Sequence, residues 1–429
     1  MRLVVKGKLF TARGLIDGSI LVEEGRIKKV VKGDPRWPVD EILDYGGRRG
    51  NVILPGLVDA HVHMRDLDLS YKEDFYTGTR SAAAGGFTIV ADMPNTRPRT
   101  NTPRALKEKE NLARSKALVD YCLYYGVPNE SEHLTEDVQK LAVGIKVYMQ
   151  DEFYSERRSL VENTLGYAAE KKLLVVSHAE DPAFFVHGPA GTLRTAEAEV
   201  SAIKDISGRA KDLNFRLHIT HLSSKAGLEE LLKQKGGVNL TADTCPHYLL
   251  LSAEDVRMQR GIAKAHPSIK GRVDAKALLN AARNGGIDAI TSDHAPHTVE
   301  EKSGDMEGVL GGFPGLETTL PLLLTLVNKG ILGLGDVVRL CSANPSKILG
   351  IRNAGEIGEG KMGNLTIVDL HRKFKIEPQK FESKAKFSPF AGREVEGKAV
   401  ATVVRGIPVM VDGEIVGPRG WGMNAKTYG

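Results

Sequence analysis

Through the middle of the chain, short apolar runs alternate with longer stretches whose apolar residues recur at helical spacing. The apolar runs end near His63, Asp92, Tyr125, Val147, His178, His221, Asp243 and Asp293. Continuous apolar runs of this kind read as strands buried on both faces. Most are separated by segments long enough for a helix, among them Pro103 to Ser115, Ser159 to Lys171, Thr195 to Ala210 and Asp274 to Asn284. Repeating β–α units imply a parallel sheet. Eight of them predict an α/β fold of the (β/α)8 TIM-barrel type, whose site lies at the C-terminal strand ends. A doubly wound open sheet is the alternative, and it would gather a site at one crevice.

The two ends are patterned differently, as short strands punctuated by turns. Gly18 to Val31 predicts a hairpin closed around Glu24-Gly25, and Val409 to Val416 predicts another with Asp412-Gly413 at its turn. Leu365 to Val368 and Val400 to Val404 are further β-rich runs. The chain then divides into residues 1–53, 54–345 and 346–429. The middle is the catalytic barrel, and the two ends assemble one small β-sandwich domain. Gly304 to Gly315 is rich in glycine but lacks the Lys-Ser/Thr of a phosphate loop. It reads as a mobile loop near the barrel mouth or as an inert surface loop.

Composition narrows the class. The 429 residues suit one large domain and a smaller one, and 41% hydrophobic with 26% charged residues fits a soluble globular protein. The net charge of +5 is a small difference between 59 basic and 54 acidic residues, with no basic stripe, which argues against a nucleic-acid partner. No run approaches a membrane span and the N-terminus lacks a signal-peptide core, so no membrane partner is expected. Cys122, Cys245 and Cys341 are odd in number and far apart, which points to a reducing cytoplasm rather than a disulfide framework.

The chemistry concentrates at the strand ends. His61-Val62-His63 places two imidazoles on one strand face, as a metal pair requires, and Arg65 follows as a fixed cation able to hold a carboxylate. Lys146 sits in an apolar strand, where burial favours a neutral amine. Such an amine either snorkels out at the strand end or captures carbon dioxide as a carbamate, an anion able to bridge two metals. His178, His221 and Asp293 each follow an apolar run. Alternation puts His218 and His221 on opposite faces, and His221, nearer the strand end, is the inward candidate. Imidazole and carboxylate donors suit zinc. Two zinc ions sharing a carbamate and a hydroxide would lower the pKa of water from about 15.7 to about 7, with Asp293 as general base and then acid. His133, His187 and His371 read as structural or exposed. Cys245 and His247 support the site from behind or simply pack.

On these residues the chain resembles the amidohydrolase superfamily over nearly its whole length, and its dihydroorotase branch in particular. The superfamily pattern is His61-Val62-His63, Lys146, His178, His221 and Asp293 in that order. The branch pattern adds Met64-Arg65, Asp92-Met93-Pro94-Asn95-Thr96-Arg97-Pro98, Ser292-Asp293-His294-Ala295-Pro296-His297 and Gly312-Phe313-Pro314-Gly315-Leu316-Glu317-Thr318. The resemblance implies reversible closure of N-carbamoyl-L-aspartate to L-dihydroorotate in pyrimidine synthesis. It implies one zinc on His61, His63 and Asp293, a second on His178 and His221, and carboxylated Lys146 with a hydroxide bridging them. Arg65, Asn95 and His297 would hold the substrate carboxylate. Three positions depart from the pattern: Asp66-Leu67-Asp68 stands for Glu-Pro-Gly, His266 for an asparagine, and Asp243 for a glutamate. His266 can still donate a similar hydrogen bond to substrate. The competing readings are allantoinase, dihydropyrimidinase, or a non-catalytic scaffold; a homo-oligomer or a pyrimidine-pathway complex is left open.

Overall fold

The computed structural model describes residues 1–47, 50–188, 191–304 and 306–428; Asp305 of the glycine-rich loop lies outside them. Eight parallel strands follow in chain order: Leu57–Val62, Phe87–Asp92, Asp120–Gly126, Ala142–Tyr148, Leu174–His178, Arg216–Ile219, Leu240–Thr244 and Ala289–Ile290. Each pairs with its predecessor, and a parallel bridge from Val62 to His294 joins the last to the first. The predicted barrel is therefore the observed one. Its period of two is visible in the packing. Val58, Ala60, Ile89, Ala91, Cys122, Tyr124 and Val176 share one buried cluster. The intervening Leu57, Val90, Leu123, Val175 and Leu217 join the larger cluster packed with the helices.

The helices start where local chemistry tells them to. Pro103–Lys116 is capped by Thr102, whose hydroxyl accepts from Ala105 N at 3.1 Å, with Pro103 at the first helical position. Arg272–Asn284 ends on Gly285, in the left-handed region at φ 82°, where a side chain would be strained. Among the described residues no helix is long and apolar enough to cross a membrane.

Both termini build a second sheet of nine strands. Arg2–Thr11, Gly14–Glu23 and Arg26–Lys32 form an antiparallel meander, and Glu23 pairs with Arg26 across the Glu24-Gly25 turn. Leu365–Lys375, Glu394–Val404, Ile407–Val411 and Glu414–Ile415 form the C-terminal half. Strand Asn51–Pro55 stitches the halves together, parallel to the first strand at Leu9–Ile53 and antiparallel to Leu365–Lys375. Its continuation, after Gly56, is the first barrel strand. The expected boundary at 53/54 falls inside this strand, and that at 345/346 inside helix Asn344–Leu349.

Candidate active site

The residues that end the barrel strands converge on one cavity of about 610 Å³, lined by His61, His63, Arg65, Asn95, Tyr148, His178, His221, His266, Asp293 and His297 among others. All these residues except Tyr148 were singled out from the sequence. The tightest group is His61, His63 and Asp293, whose ligand-type atoms lie within 4.8 Å of one another. Asp293 Oδ1 stands 3.4 Å from His61 Nε2 and 3.2 Å from His63 Nε2. Burial alone would raise the Asp293 carboxyl, but His61 and His63 outweigh it and hold the group well below its usual range. Burial also drives His61 and His221 well below the ordinary imidazole value, so both are neutral and offer lone pairs. His61 Nδ1 and His221 Nδ1 are buried without a hydrogen-bond partner.

His221 lies beside His61 and His178, with ring centroids 5.2 and 4.5 Å apart. It arrives there by a different route from the one strand alternation supplies. The sixth strand stops at Ile219, and His221 takes a left-handed backbone at φ 44°. His218 is buried as well, with Nε2 2.8 Å from Asp243 Oδ2 and Nδ1 2.9 Å from the Thr241 hydroxyl. Of the two, His221 is the one that lines the cavity, and His218 is buried behind it. His178 Nε2 is 2.6 Å from Glu180 Oε2. Lys146 is fully buried and donates to Thr220 Oγ1 at 2.9 Å. Burial lowers its pKa to about 7, against the pull of Asp243 and Asp293.

The candidates for holding a substrate carboxylate line the same cavity. Arg65 is buried, its Nε donating to Pro296 O at 3.1 Å and its Nη2 lying 3.2 Å from His297 Nε2. Asn95 Oδ1 is 2.7 Å from His63 Nδ1, so this residue orients a histidine as well as facing the cavity. His297 is also tied to Glu301 at 3.1 Å and to Gly311 O at 3.1 Å. His266 lies against Gly311, where a Cβ would meet its ring at 2.3 Å. The departing segment Asp66-Leu67-Asp68 is structural. Asp66 accepts from Leu67 N and Phe75 N and pairs with Lys116 at 2.8 Å, which fixes the turn behind Arg65.

Sequence reasoning missed the hairpin of Phe185–Gly188 and Gly191–Arg194. It brings Phe185, His187, Thr192 and Arg194 to the cavity mouth. The exposed His187 is therefore a lining residue, and Arg194 braces the rim through Glu180 and Gln150. Two four-residue segments flanked by Gly188 and Gly191 were the available signal. Glu307 to Gly312 of the glycine-rich loop also line the cavity. His247 packs instead, 4.2 Å from the Tyr248 ring and 5.0 Å from Phe313 between centroids. All three cysteines are buried and free.

A barrel carrying such a site defines a class, and comparison with known proteins agrees. The model of the amidohydrolase family matches residues 52–416, so this chain belongs to that family and is a hydrolase. A dihydroorotase from Pyrococcus abyssi is 37% identical over 98% of each chain. A dihydroorotase from Geobacter sp. is 36% identical over 95% of this chain and 98% of its own. Among solved structures, L-hydantoinase (dihydropyrimidinase) from Arthrobacter aurescens has a TM-score of 0.92 at 29% identity, covering 98% of this chain and 99% of its own. D-hydantoinase from Thermus sp. shares the fold at a TM-score of 0.90 and 22% identity. Family membership implies a metal cofactor, and the His61 and His63 imidazoles beside Asp293, with His61 Nδ1 buried and unpartnered, are a donor set that fits one.

Proposed function

We propose that this enzyme is a dihydroorotase, closing N-carbamoyl-L-aspartate to L-dihydroorotate and water in pyrimidine synthesis and catalysing the reverse hydrolysis. The observation that carries the reading is Arg65. A buried guanidinium lines the cavity, and its hydrogen-bond partners are neutral: a carbonyl and an imidazole. Burial strips water from the guanidinium, and a substrate carboxylate would restore charge-assisted hydrogen bonds to it. Dihydroorotate carries a carboxylate on its ring; dihydrouracil and hydantoin do not. The relatives named dihydroorotase support the same choice.

His61, His63 and Asp293 would hold one zinc and His178 and His221 a second, with carboxylated Lys146 shared by both; bound zinc polarises the scissile carbonyl and acidifies water. Arg65, with Asn95 and His297, would seat the substrate carboxylate and so fix the ring, and His266 would donate to the ring from the cavity wall. In hydrolysis the Asp293 carboxylate takes a proton from attacking water and returns it to the ring nitrogen as the amide C–N bond breaks. In the synthetic direction the ureido nitrogen gives its proton to Asp293 as the C–N bond forms, and Asp293 passes it to the hydroxide departing from the protonated carboxyl, which leaves as water. The lowered Lys146 pKa supports carboxylation, because carbon dioxide reacts with a neutral amine.

A second reading is a hydantoinase or dihydropyrimidinase, favoured by the likeness to the Arthrobacter enzyme. Allantoinase and a non-catalytic scaffold are weaker, the first lacking a ring carboxylate in its substrate and the second lacking a reason to retain the ligand set. We place the enzyme in the cytoplasm with a small-molecule substrate. The test is turnover of dihydroorotate, dihydrouracil, hydantoin and allantoin side by side with metal quantification. Dihydroorotate should be preferred by at least a hundredfold in kcat/KM. Turnover of dihydrouracil or hydantoin with none of dihydroorotate would overturn the proposal.

A further inference from the structure

Below the candidate metal ligands, two carboxylates are buried between strand ends. Asp59 accepts from His61 N and from Ser292 N, both at 3.0 Å, tying the first strand to the segment that carries Asp293. Asp243, at 0% exposure, joins three strands. Its Oδ1 accepts from His221 N at 2.7 Å and from the Thr291 hydroxyl at 2.9 Å, and its Oδ2 lies 2.8 Å from His218 Nε2. With Nε2 donating to Asp243, His218 Nδ1 accepts from Thr241 Oγ1 at 2.9 Å. The carboxylate is thus oriented by His218 and in turn grips the amide of a residue in the left-handed region. A non-glycine residue holds such a backbone only when its surroundings over-determine it. His221 reaches the cavity through that conformation, since its strand has already ended.

We propose that Asp243 is a positioning residue: it aims His221 at the metal site by holding its backbone amide. His218 orients Asp243 and has no direct part in the site. The inference rests on the reading of His221 as a metal ligand. It also gives a role to the shorter carboxylate at this position. The Asp243 oxygens meet donors from the strand segments on either side within 2.9 Å, so the site is built around the aspartate arm.

The full-length, metal-free protein is titrated with cobalt(II) as the probe. Asp243→Ala removes every one of these contacts. Asp243→Asn keeps an oxygen for His221 and Thr291 and requires only that His218 move its proton from Nε2 to Nδ1. Asp243→Ala should bind cobalt at least tenfold more weakly at one class of site, with altered visible absorption, as expected for loss of a group that orients a ligand. Asp243→Asn should stay within threefold of wild type. Thr291→Val, which removes one donor from the same oxygen, should also stay within threefold. In turnover, Asp243→Ala should lose at least tenfold in kcat with KM within threefold, because Arg65, Asn95 and His297 are untouched. A purely structural role would lower the folded fraction and leave the cobalt spectrum of the folded protein unchanged. Asp243→Ser takes the place of Asp243→Ala if that variant does not fold, with the same readings. Folded variant protein with wild-type cobalt affinity and spectrum refutes the positioning role alone. Wild-type protein that takes up no cobalt refutes instead the metal-site reading of His221.

Discussion

Arg65→Met separates substrate recognition from metal binding. The guanidinium lies within the cavity wall and touches none of His61, His63 and Asp293 by hydrogen bond. Methionine keeps much of the side-chain volume and removes the charge. Two charge-assisted hydrogen bonds to a substrate carboxylate are worth about 1.5–3 kcal/mol each. Their loss removes about 3–6 kcal/mol, and at about 1.36 kcal/mol per tenfold this is a fall in kcat/KM of roughly a hundredfold to ten-thousandfold. Folding stability should move far less. The variant leaves Pro296 O without its donor, at a cost of about 1–3 kcal/mol, but it also removes the desolvation cost of a buried cation. A net change within about 2 kcal/mol is expected by urea unfolding. The assay is initial-rate kinetics of dihydroorotate hydrolysis and carbamoyl-aspartate cyclisation, with zinc measured on the same samples. A loss below tenfold with metal intact would refute the carboxylate clamp. So would an equal loss on dihydrouracil, which has no carboxylate to lose.

Lys146→Ala should lose metal and activity together, with partial rescue by short carboxylic acids, read by zinc analysis and dihydroorotate turnover. The same lysine sets a pH slope. Between its folded value of about 7 and its ordinary 10.5, the unfolded chain binds a proton that the folded chain does not. The metal-free protein should therefore gain stability as pH rises through that window, and Lys146→Met should lose that gain in urea melts. Asp66→Ala removes a buried carboxylate from Lys116 and two backbone amides, and should cost about 2–4 kcal/mol in urea unfolding while leaving zinc content unchanged. Gly311→Ala would put a Cβ 2.3 Å from the His266 ring. It should raise KM at least threefold with kcat and zinc retained, measured by steady-state kinetics.

Much of the site is legible because barrel strands are read one element at a time. His63, Lys146 and His178 announce themselves as polar groups in or just beyond apolar runs, and the fold gathers such ends on one rim. Arg65, Asn95, His266 and His297 lie on loops, where no period marks which way a side chain points. Arg65 was foreseen from its place just after the histidine pair, and Asn95, His266 and His297 only from motif resemblance. The rim hairpin carrying His187 and Arg194 escaped notice because its segments are only four residues long. Asp66 looked only like a departure from the family pattern and proves to be an anchor, which the sequence hid because its partner Lys116 lies fifty positions away.

The sequence by itself determined the barrel, the terminal sheet and the inventory of donors, because hydrophobic periodicity and turn chemistry act over a few residues. Only the tertiary structure decided how those donors are aimed. His221 enters the cavity by a left-handed turn whose amide Asp243 accepts from across neighbouring strands, and Arg65 takes its hydrogen-bond partners, Pro296 O and the His297 imidazole, from a loop far along the chain. Burial, neutral imidazoles and the lowered lysine pKa are likewise properties of the assembled barrel, where low dielectric and long-range partners, not local pattern, set the energy of each charge.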